Sequence, residues 1–501
     1  MSAGLDHVEL RQGQYYDSVT LMRASRTVAE TAGVLQALVA MATPLNVELA
    51  EGLGFVVPQA VPADLLVAVR AADQSGLDAG IEALTAFLSA RSTSSRIEMD
   101  EDSRPATVGA ALEDSDATLA LISVPGPYAA IEAFDAVAAG RNVMIFSDGV
   151  SIGDEIALKK AGRESGVLVM GPDCGTAIVG GIALGFANAV RRGPVGIVAA
   201  SGTGAQQVSS LLDIAGVGVS HLLGLGSRDL SGPVGGLGAE LALTALEADP
   251  DTDLIVLVSK PPDPEVARHV HELTESFATP VQFALQGPGR PDLTQATELA
   301  LRTLGTKVPI WPVIGPAQHP GGPAELHGYF AGGTLAAETL LLAEELAPIS
   351  ANLGADAMPA GQALAGGSHV VIDYGEDELT SGRAHPMIDP TLRLEQIARL
   401  GESGGANVVL LVDVVLGYGA EPDPAHALAP ALRAASRRMS ERGADLSMVV
   451  SLCGTEADPQ RWSCQAKLLA DAGAQVFASN AQAARQAIRL ARGSAPAESS
   501  P

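Results

Sequence analysis

A chain of 501 residues is too long for one hydrophobic core, and at about 150 residues per domain it divides into several modules. Its 31 basic and 58 acidic residues leave a formal net charge of −27, a field that repels DNA, RNA and anionic membrane surfaces. With Cys174, Cys453 and Cys464 as its cysteines it has neither a disulfide framework nor a structural zinc site, and its apolar runs are of strand length, so a cytoplasmic protein is expected.

The first stretch alternates strand and helix: strands at 8–13, 34–41 and 64–71, and helices over 17–31 and 75–90. A polar run, 90–106, reads as a linker. Next come the apolar strands ATLALISVP (117–125), NVMIFSD (142–148) and VLVMGP (167–172), separated by helical stretches at 127–139 and 152–165. Buried apolar strands alternating with helices predict a parallel sheet with right-handed crossovers. A third module opens with PVGIVAASGTG (194–204) and continues through LIVLVSKPP (254–262) and VQFALQG (281–287). After a Pro/Gly-rich close at 308–323, a helix begins at GGTLAAE (332–338), and a second linker spans about 347–368. The last module takes HVVIDYGED (369–377) as its first strand, then VVLLVDVVLGYG (408–419), LSMVVSLCG (446–454) and AQVFASN (474–480). The predicted fold is α/β, several Rossmann-like or flavodoxin-like parallel-sheet modules. The divisions are 1–90, 107–193, 194–346 and 369–490, with a tail from 491; the third and fourth modules read as a duplication.

Ser201-Gly202-Thr203-Gly204 joins a buried strand to a helix, where free N–H groups and the helix dipole attract an anion. The alternative is an ordinary turn with a hydroxyl cap. Gly417-Tyr418-Gly419 has the same setting in the last module, and two such loops, one per duplicate, suit one anion held from both sides. Asp173-Cys174-Gly175-Thr176 ends the second module's last strand and is a candidate substrate-binding segment; its bland reading is a tight turn with a buried thiol. Asp389 and Pro390 mark a helix start, which leaves Arg383 and His385 in the same loop to be explained, a pairing suited to oxyanion binding and proton transfer. Lys260 and Arg228 follow apolar strands, at the edge where parallel sheets bind ligands. The histidines have no metal-ligand spacing, so no metal is expected.

Taken in order, YYDSVTLM (15–22), LISVPGPYAA (121–130), MGPDCGT (170–176), ASGTG (200–204), GLGSRDLS (224–231), AGGTLAAE (331–338), HPMIDPTLR (385–393) and DVVLGYGA (413–420) resemble the FdrA family of the succinyl-CoA synthetase superfamily. The resemblance implies a CoA-binding-type module followed by two ligase-type modules, with two facing helices that cradle phosphate. It also implies a subunit of the oxamate carbamoyltransferase type, acting in purine-ring (allantoin) nitrogen catabolism with partner subunits or as a homodimer. Phosphate or carbamoyl phosphate would sit on the two loops, with Arg228, Lys260 or Arg383 neutralising charge and His385 protonating the leaving nitrogen. The stretch matching the synthetases' phosphohistidine loop, 287–304, contains no histidine, and Tyr15 and Tyr16 stand where a glycine loop would receive CoA. No cofactor is therefore expected and CoA binding is disfavoured. An acyl-CoA ligase and a non-catalytic scaffold are the alternatives.

Overall fold

A computed structural model describes residues 4–12, 14, 16, 18–61, 63–92, 105, 107–113, 115–319, 322–354, 356–366, 369–380, 383–400 and 406–493. Most of the expected 90–106 linker, Tyr15 and most of the tail lie outside the described residues. The N-terminal part is β1 (Leu5–Arg11), α1 (Ser18–Ala29), β2 (Val34–Met41), α2 (Pro44–Gly52), β3 (Leu65–Ala71) and α3 (Gln74–Ser92), with an antiparallel sheet ordered β1-β3-β2. The sequence reading lacked α2, whose start is set by the Thr43 cap and Pro44 in the first turn.

The second part is α4 (Val108–Glu113), β4 (Leu119–Ile122), α5 (Gly126–Ala138), β5 (Asn142–Ile145), α6 (Ile152–Ser165) and β6 (Val169–Met170), a parallel sheet ordered β4-β5-β6. The third is the hairpin β7 (Thr176–Val179) and β8 (Ile182–Gly185), then β9 (Arg192–Ala200), α7 (Gly202–Ile214), β10 (Val219–Gly224), α8 (Leu237–Glu247), β11 (Leu254–Ser259), α9 (Pro264–Thr274), β12 (Val281–Leu285) and α10 (Leu293–Thr303). Its sheet runs β12-β11-β9-β10-β7-β8, parallel except at the hairpin.

The fourth part begins with β13 (Val313–Ile314), β14 (Glu325–Phe330), α11 (Gly333–Leu342), β15 (Ser350–Ala351), α12 (Ala360–Gly366), β16 (Val370–Asp373), α13 (Asp377–Thr380) and α14 (Thr391–Ala398). It closes with β17 (Val408–Val415), α15 (Pro424–Glu441), β18 (Leu446–Cys453), α16 (Trp462–Asp471), β19 (Gln475–Phe477) and α17 (Asn480–Ala491). The sheet order is β13-β19-β18-β17-β14-β16-β15.

Two divisions differ from those read in the sequence. Residues 176–185, assigned there to the second module, pair with β10 and extend the third sheet. The strand 325–330, whose residues fall within the third module as read there, is the first parallel strand of the fourth sheet, between β16 and β17. Its short run is interrupted by His327 and Gly328, so its apolar signal is weak until the neighbouring strands bury it.

With β14 restored, the third and fourth sheets share one winding once the β7–β8 hairpin and the two-residue strands β13 and β15 are set aside: β9 lies between β10 and β11, and β14 lies between β16 and β17. Their first and last helices, α7 and α10 against α11 and α17, pack together in one apolar core that runs from Val195 and Leu211 to Leu335 and Ala487. Each first helix therefore starts at the carboxyl end of its sheet, at the point where strand order reverses. Among the described residues no helix is long and apolar enough to cross a membrane.

Candidate functional site

Ser201 caps α7, its Oγ accepting the Gly204 N–H at 3.0 Å. The same oxygen lies 2.6 Å from Thr334 Oγ1, in the first turn of α11. Thr203 reaches across as well: a β-carbon at Gly332, the residue before α11, would come within 2.9 Å of Thr203 Oγ1. The amino ends of two equivalent helices thus meet. Ser201 and Thr334 are buried, while Gly202, Thr203 and Gly333 keep contact with solvent, so the junction is the floor of a crevice. The Gly202 and Thr203 N–H groups have no hydrogen-bond partner among the described residues, as expected of a helix's first turn. Thr176 edges the same floor, with its hydroxyl 3.4 Å from where a Gly202 β-carbon would stand.

The second helix is held by charge at depth. Asp413, fully buried in β17, accepts the N–H groups of Ala331 (2.7 Å) and Gly332 (2.8 Å), and it pairs with Arg393 of α14 at 2.8 Å. This carboxylate uses up the two N–H groups just before the helix, so α11 presents Gly333 as its first residue to the crevice. On the crevice wall, a β-carbon at Gly333 would collide with Asp373 Oδ2 and lie 3.0 Å from Lys260 Nζ. Lys260, half-exposed, has Glu376 at 3.9 Å. Burial pushes the Asp373 carboxyl up to about 7, with Lys260 opposing.

His385 Nε2 faces this wall, 2.9 Å from a β-carbon position at Gly375, while Phe186 stacks obliquely on the ring at 6.0 Å. The Met387 N–H donates to His385 Nδ1 at 3.2 Å, so in the neutral ring the proton resides on Nε2. Burial, and then the Arg393 charge, lower the His385 pKa to about 4. The imidazole is neutral at physiological pH and offers Nε2–H as a hydrogen-bond donor. The N–H of a neutral imidazole is too weak an acid to protonate a leaving nitrogen, so the expected proton-donor role does not fit this ring. Asp173, at a φ of +59°, accepts from Ser227 Oγ at 2.6 Å. The residue is exposed yet surrounded by protein, as on a cleft wall. Desolvation, with Asp148 and Asp377 adding to it, pushes its carboxyl up to about 6.

Several expected residues lie elsewhere. The Gly417-Tyr418-Gly419 loop is no second cradle. The Gly417 N–H goes to Gln460 Oε1 (3.1 Å) and the Tyr418 N–H to the Ala187 carbonyl (3.0 Å), while the carbonyls of Gly419 and Ala420 receive Arg23 of α1. Beside it Arg26 pairs with Glu421 and donates to the Ile388 carbonyl, so this loop is where the N-terminal part docks. Arg228 donates to Glu155 (2.9 Å) and to the Val150 carbonyl (2.8 Å). Glu155 in turn holds the buried Lys159, which also bonds Asp229, a network joining the second part to the third. Cys174 is buried against Gly224 and Thr176, and burial pushes its thiol up to about 12, which removes it from thiolate chemistry. Gly175 serves backbone pairing, its carbonyl accepting the Phe186 N–H. Arg383 is exposed in the loop of His385. The residue preceding α14 is Pro390, with Asp389 accepting the Thr391 N–H from one residue further back. Thr334, Asp373, Asp413 and Arg393 were not singled out from sequence, although Gly332-Gly333-Thr334 repeats the strand–glycine–threonine–helix pattern of 201–204.

Residues 1–105 match the model of the AllF heavy metal-associated domain, and residues 329–490 that of the CoA-ligase domain, which opens within β14. The donors in the first match do not suit a heavy metal: it contains no cysteine and a single histidine, His7. The chain is 28% identical over 184 residues to the succinate–CoA ligase [ADP-forming] subunit alpha of Methanothermobacter thermautotrophicus, 36% of this chain and 61% of that one. A solved dinucleotide-forming acetyl-coenzyme A synthetase 1 of Ca. Korarchaeum cryptofilum is 15% identical over 77% of this chain and 84% of its own, with a TM-score of 0.30, too low to add to the geometry above. The uncharacterized protein YahF of Escherichia coli K12 is 36% identical over 496 residues, 93% of this chain and 95% of its own length. That near end-to-end identity, with the ligase-domain match, means that the chain belongs to the family of YahF, an FdrA-type branch of the succinyl-CoA synthetase-like superfamily.

Proposed function

We propose that this chain is a subunit of a carbamoyltransferase of the oxamate carbamoyltransferase type, interconverting a ureido compound plus phosphate with carbamoyl phosphate plus an amine or amide. The observation that carries the reading is the 2.6 Å contact of Ser201 with Thr334, which joins the amino ends of α7 and α11. Each end contributes roughly half a positive charge and free N–H groups, and a phosphate between them gains from both. Lys260 adds a full charge at the lip, and His385 Nε2–H is a fixed donor for the oxyanion of a tetrahedral intermediate. Thr176 edges the floor and Asp173 stands on the wall, where the carbamoyl acceptor would enter. Partner subunits supply what this chain lacks, no cofactor takes part, and CoA is not a ligand.

The second reading, an acyl-CoA ligase, draws on the CoA-ligase domain match and the synthetase relatives. Against it stands the His385 tautomer. A phosphohistidine relay needs a ring nitrogen with a free lone pair at the site, and here the Met387 N–H takes the lone pair of Nδ1 and leaves Nε2 protonated. The test is a phosphate-dependent assay of the full chain with its partner subunits, run toward carbamoyl phosphate from ureido substrates and in reverse with oxamate. Turnover without nucleotide supports the transferase. Acid-labile phosphate on His385 after incubation with ATP, succinate and CoA overturns it in favour of the ligase.

A further inference from the structure

The proposed transfer needs a proton carrier, and the neutral His385 does not supply one. The charge on the two sides fixes the requirement. A ureido compound and hydrogen phosphate dianion become an amine or amide and carbamoyl phosphate dianion. A phosphate oxygen bonds to the carbamoyl carbon, the carbon–nitrogen bond breaks with its electron pair on nitrogen, and the proton of the phosphate hydroxyl ends on that nitrogen. Some group must move it.

We propose that Asp373 is a catalytic residue of this site, the relay whose protonated carboxyl gives its proton to the leaving nitrogen and is reprotonated from the phosphate hydroxyl; this rests on the two-helix reading above. Asp373 ends β16, at the carboxyl edge of the sheet, and is only 3% exposed. Its backbone is clamped on both sides by Asn352, which donates to its carbonyl and accepts its N–H, each at 2.8 Å. Its Oδ1 accepts the Gly375 N–H at 2.8 Å, whereas Oδ2 has no hydrogen-bond partner among the described residues. That free oxygen is directed at Gly333, the first residue of α11, and only a glycine fits between it and the helix axis. A carboxyl so buried and half-unpartnered at an anion's seat is costly unless the ligand completes it.

The groups around it fit a relay. Lys260 faces the carboxyl from the end of β11, Glu376 from its own loop, Asp413 from β17 and His385 from the loop before α14. Lys260 opposes protonation and the two carboxylates favour it, while desolvation dominates and brings the group to about 7, where both forms are populated at neutral pH. Protonated, Asp373 donates to a dianion beside α11; ionised, it repels one. Anion binding is then coupled to proton uptake at this residue.

Sulfate is the probe, because it stays a dianion across the range and its pH dependence reports the protein alone. Calorimetric titration of the full chain should show sulfate affinity constant up to about pH 7 and falling about tenfold per unit above it. In D373N the affinity should be retained and lose this dependence, and turnover should fall by about 10²-fold or more, since the amide keeps the Gly375 contact but carries no proton. If D373N does not fold, D373E restores an ionisable group and should restore the fall. A flat profile in the parent chain, or an unchanged fall in D373N, overturns the Asp373 relay while leaving the two-helix site standing. Absence of sulfate and phosphate binding at every pH overturns the site itself, and the relay with it.

Discussion

The hydroxyl of Ser201 and the hydroxyl of Thr334 lie 2.6 Å apart, though 133 residues separate them in the chain. Each belongs to the first helix of one of two sheets wound alike, so the contact marks the point where the duplicated modules face each other. A hydroxyl pair is well suited to that point. It satisfies both groups in a buried setting and leaves the neighbouring N–H groups aimed at solvent.

Ser201→Ala removes both the cap on Gly204 and the partner of Thr334, and should cost about 1–2 kcal/mol in denaturant unfolding. Thr334→Val keeps shape and loses the hydroxyl, for about 1 kcal/mol. Because they share one bond, the double variant should fall short of the sum by roughly 0.5 kcal/mol or more. Strict additivity is the outcome that removes the contact from the account.

The two glycine sites separate binding from packing. Gly333→Ala places a methyl on the Asp373 carboxyl and beside Lys260, at the accessible start of α11, and should reduce phosphate affinity at least about tenfold. Gly419→Val strains a residue at φ +81° against Phe186 and should reduce stability with phosphate affinity kept to within about threefold. Gly204 is unsuitable as a binding probe. It is buried, and a side chain there meets Ser201, Thr334 and Val258, so its replacement disturbs the core rather than a loop tip. Equal loss of phosphate binding in the Gly333 and Gly419 variants would return the 417–419 loop to the site.

The extent to which the site was legible turns on one strand. The buried runs at 194–200, 254–259 and 408–415 announce themselves by length and composition, and the S-G-T-G helix start follows from them. Glu325–Phe330 does not. Its His327 and Gly328 spoil the apolar run, and without it the fourth module is counted from 369. That shift by one strand moved the expected second anion loop from 331–334 to 417–419, although both carry glycines. Asp373 and Asp413 are silent for another reason. Asp373 closes a strand and so reads as a turn or cap, Asp413 is a single carboxylate within the apolar run of β17, and only the contacts of distant segments, the start of α11 above all, make either exceptional.

Lys159 and Arg228 test whether a strand-end cation belongs to the site or to the framework. Lys159 is buried between Glu155 and Asp229 at 2.7 Å from each, and Lys159→Met leaves two buried carboxylates short of a cation. The loss should be about 3–5 kcal/mol. Arg228→Ala, at a half-exposed partner of Glu155, should cost about 1–2 kcal/mol and leave sulfate affinity unchanged. A tenfold loss of sulfate binding in the Arg228 variant would restore it to the anion site.

Glu338 gives a prediction whose sign depends on burial. It lies in α11 between the two modules, accepting the Leu293 N–H at 2.7 Å and the Asn480 side-chain N–H at 2.8 Å. Desolvation, and then the neighbouring Asp292, push its carboxyl up to about 7 from an ordinary value of 4.5. The folded chain therefore holds this proton over a range where the unfolded chain has released it. Stability from the group is complete below about pH 4.5 and is lost as pH rises toward about 7, after which the difference stays constant. His385 acts in the opposite sense. Its folded value near 4 means that its contribution is complete above 6.5 and falls away as pH drops toward 4. The two offset each other in the parent chain, and the E338Q substitution separates them. Relative to the parent, E338Q should gain stability as pH rises from 5 to 8, by up to about 3 kcal/mol, measured by urea unfolding at each pH. A stability difference between E338Q and the parent that stays constant over that range means that Glu338 is ionised in the folded chain throughout, with Arg485 and the two N–H donors outweighing its burial.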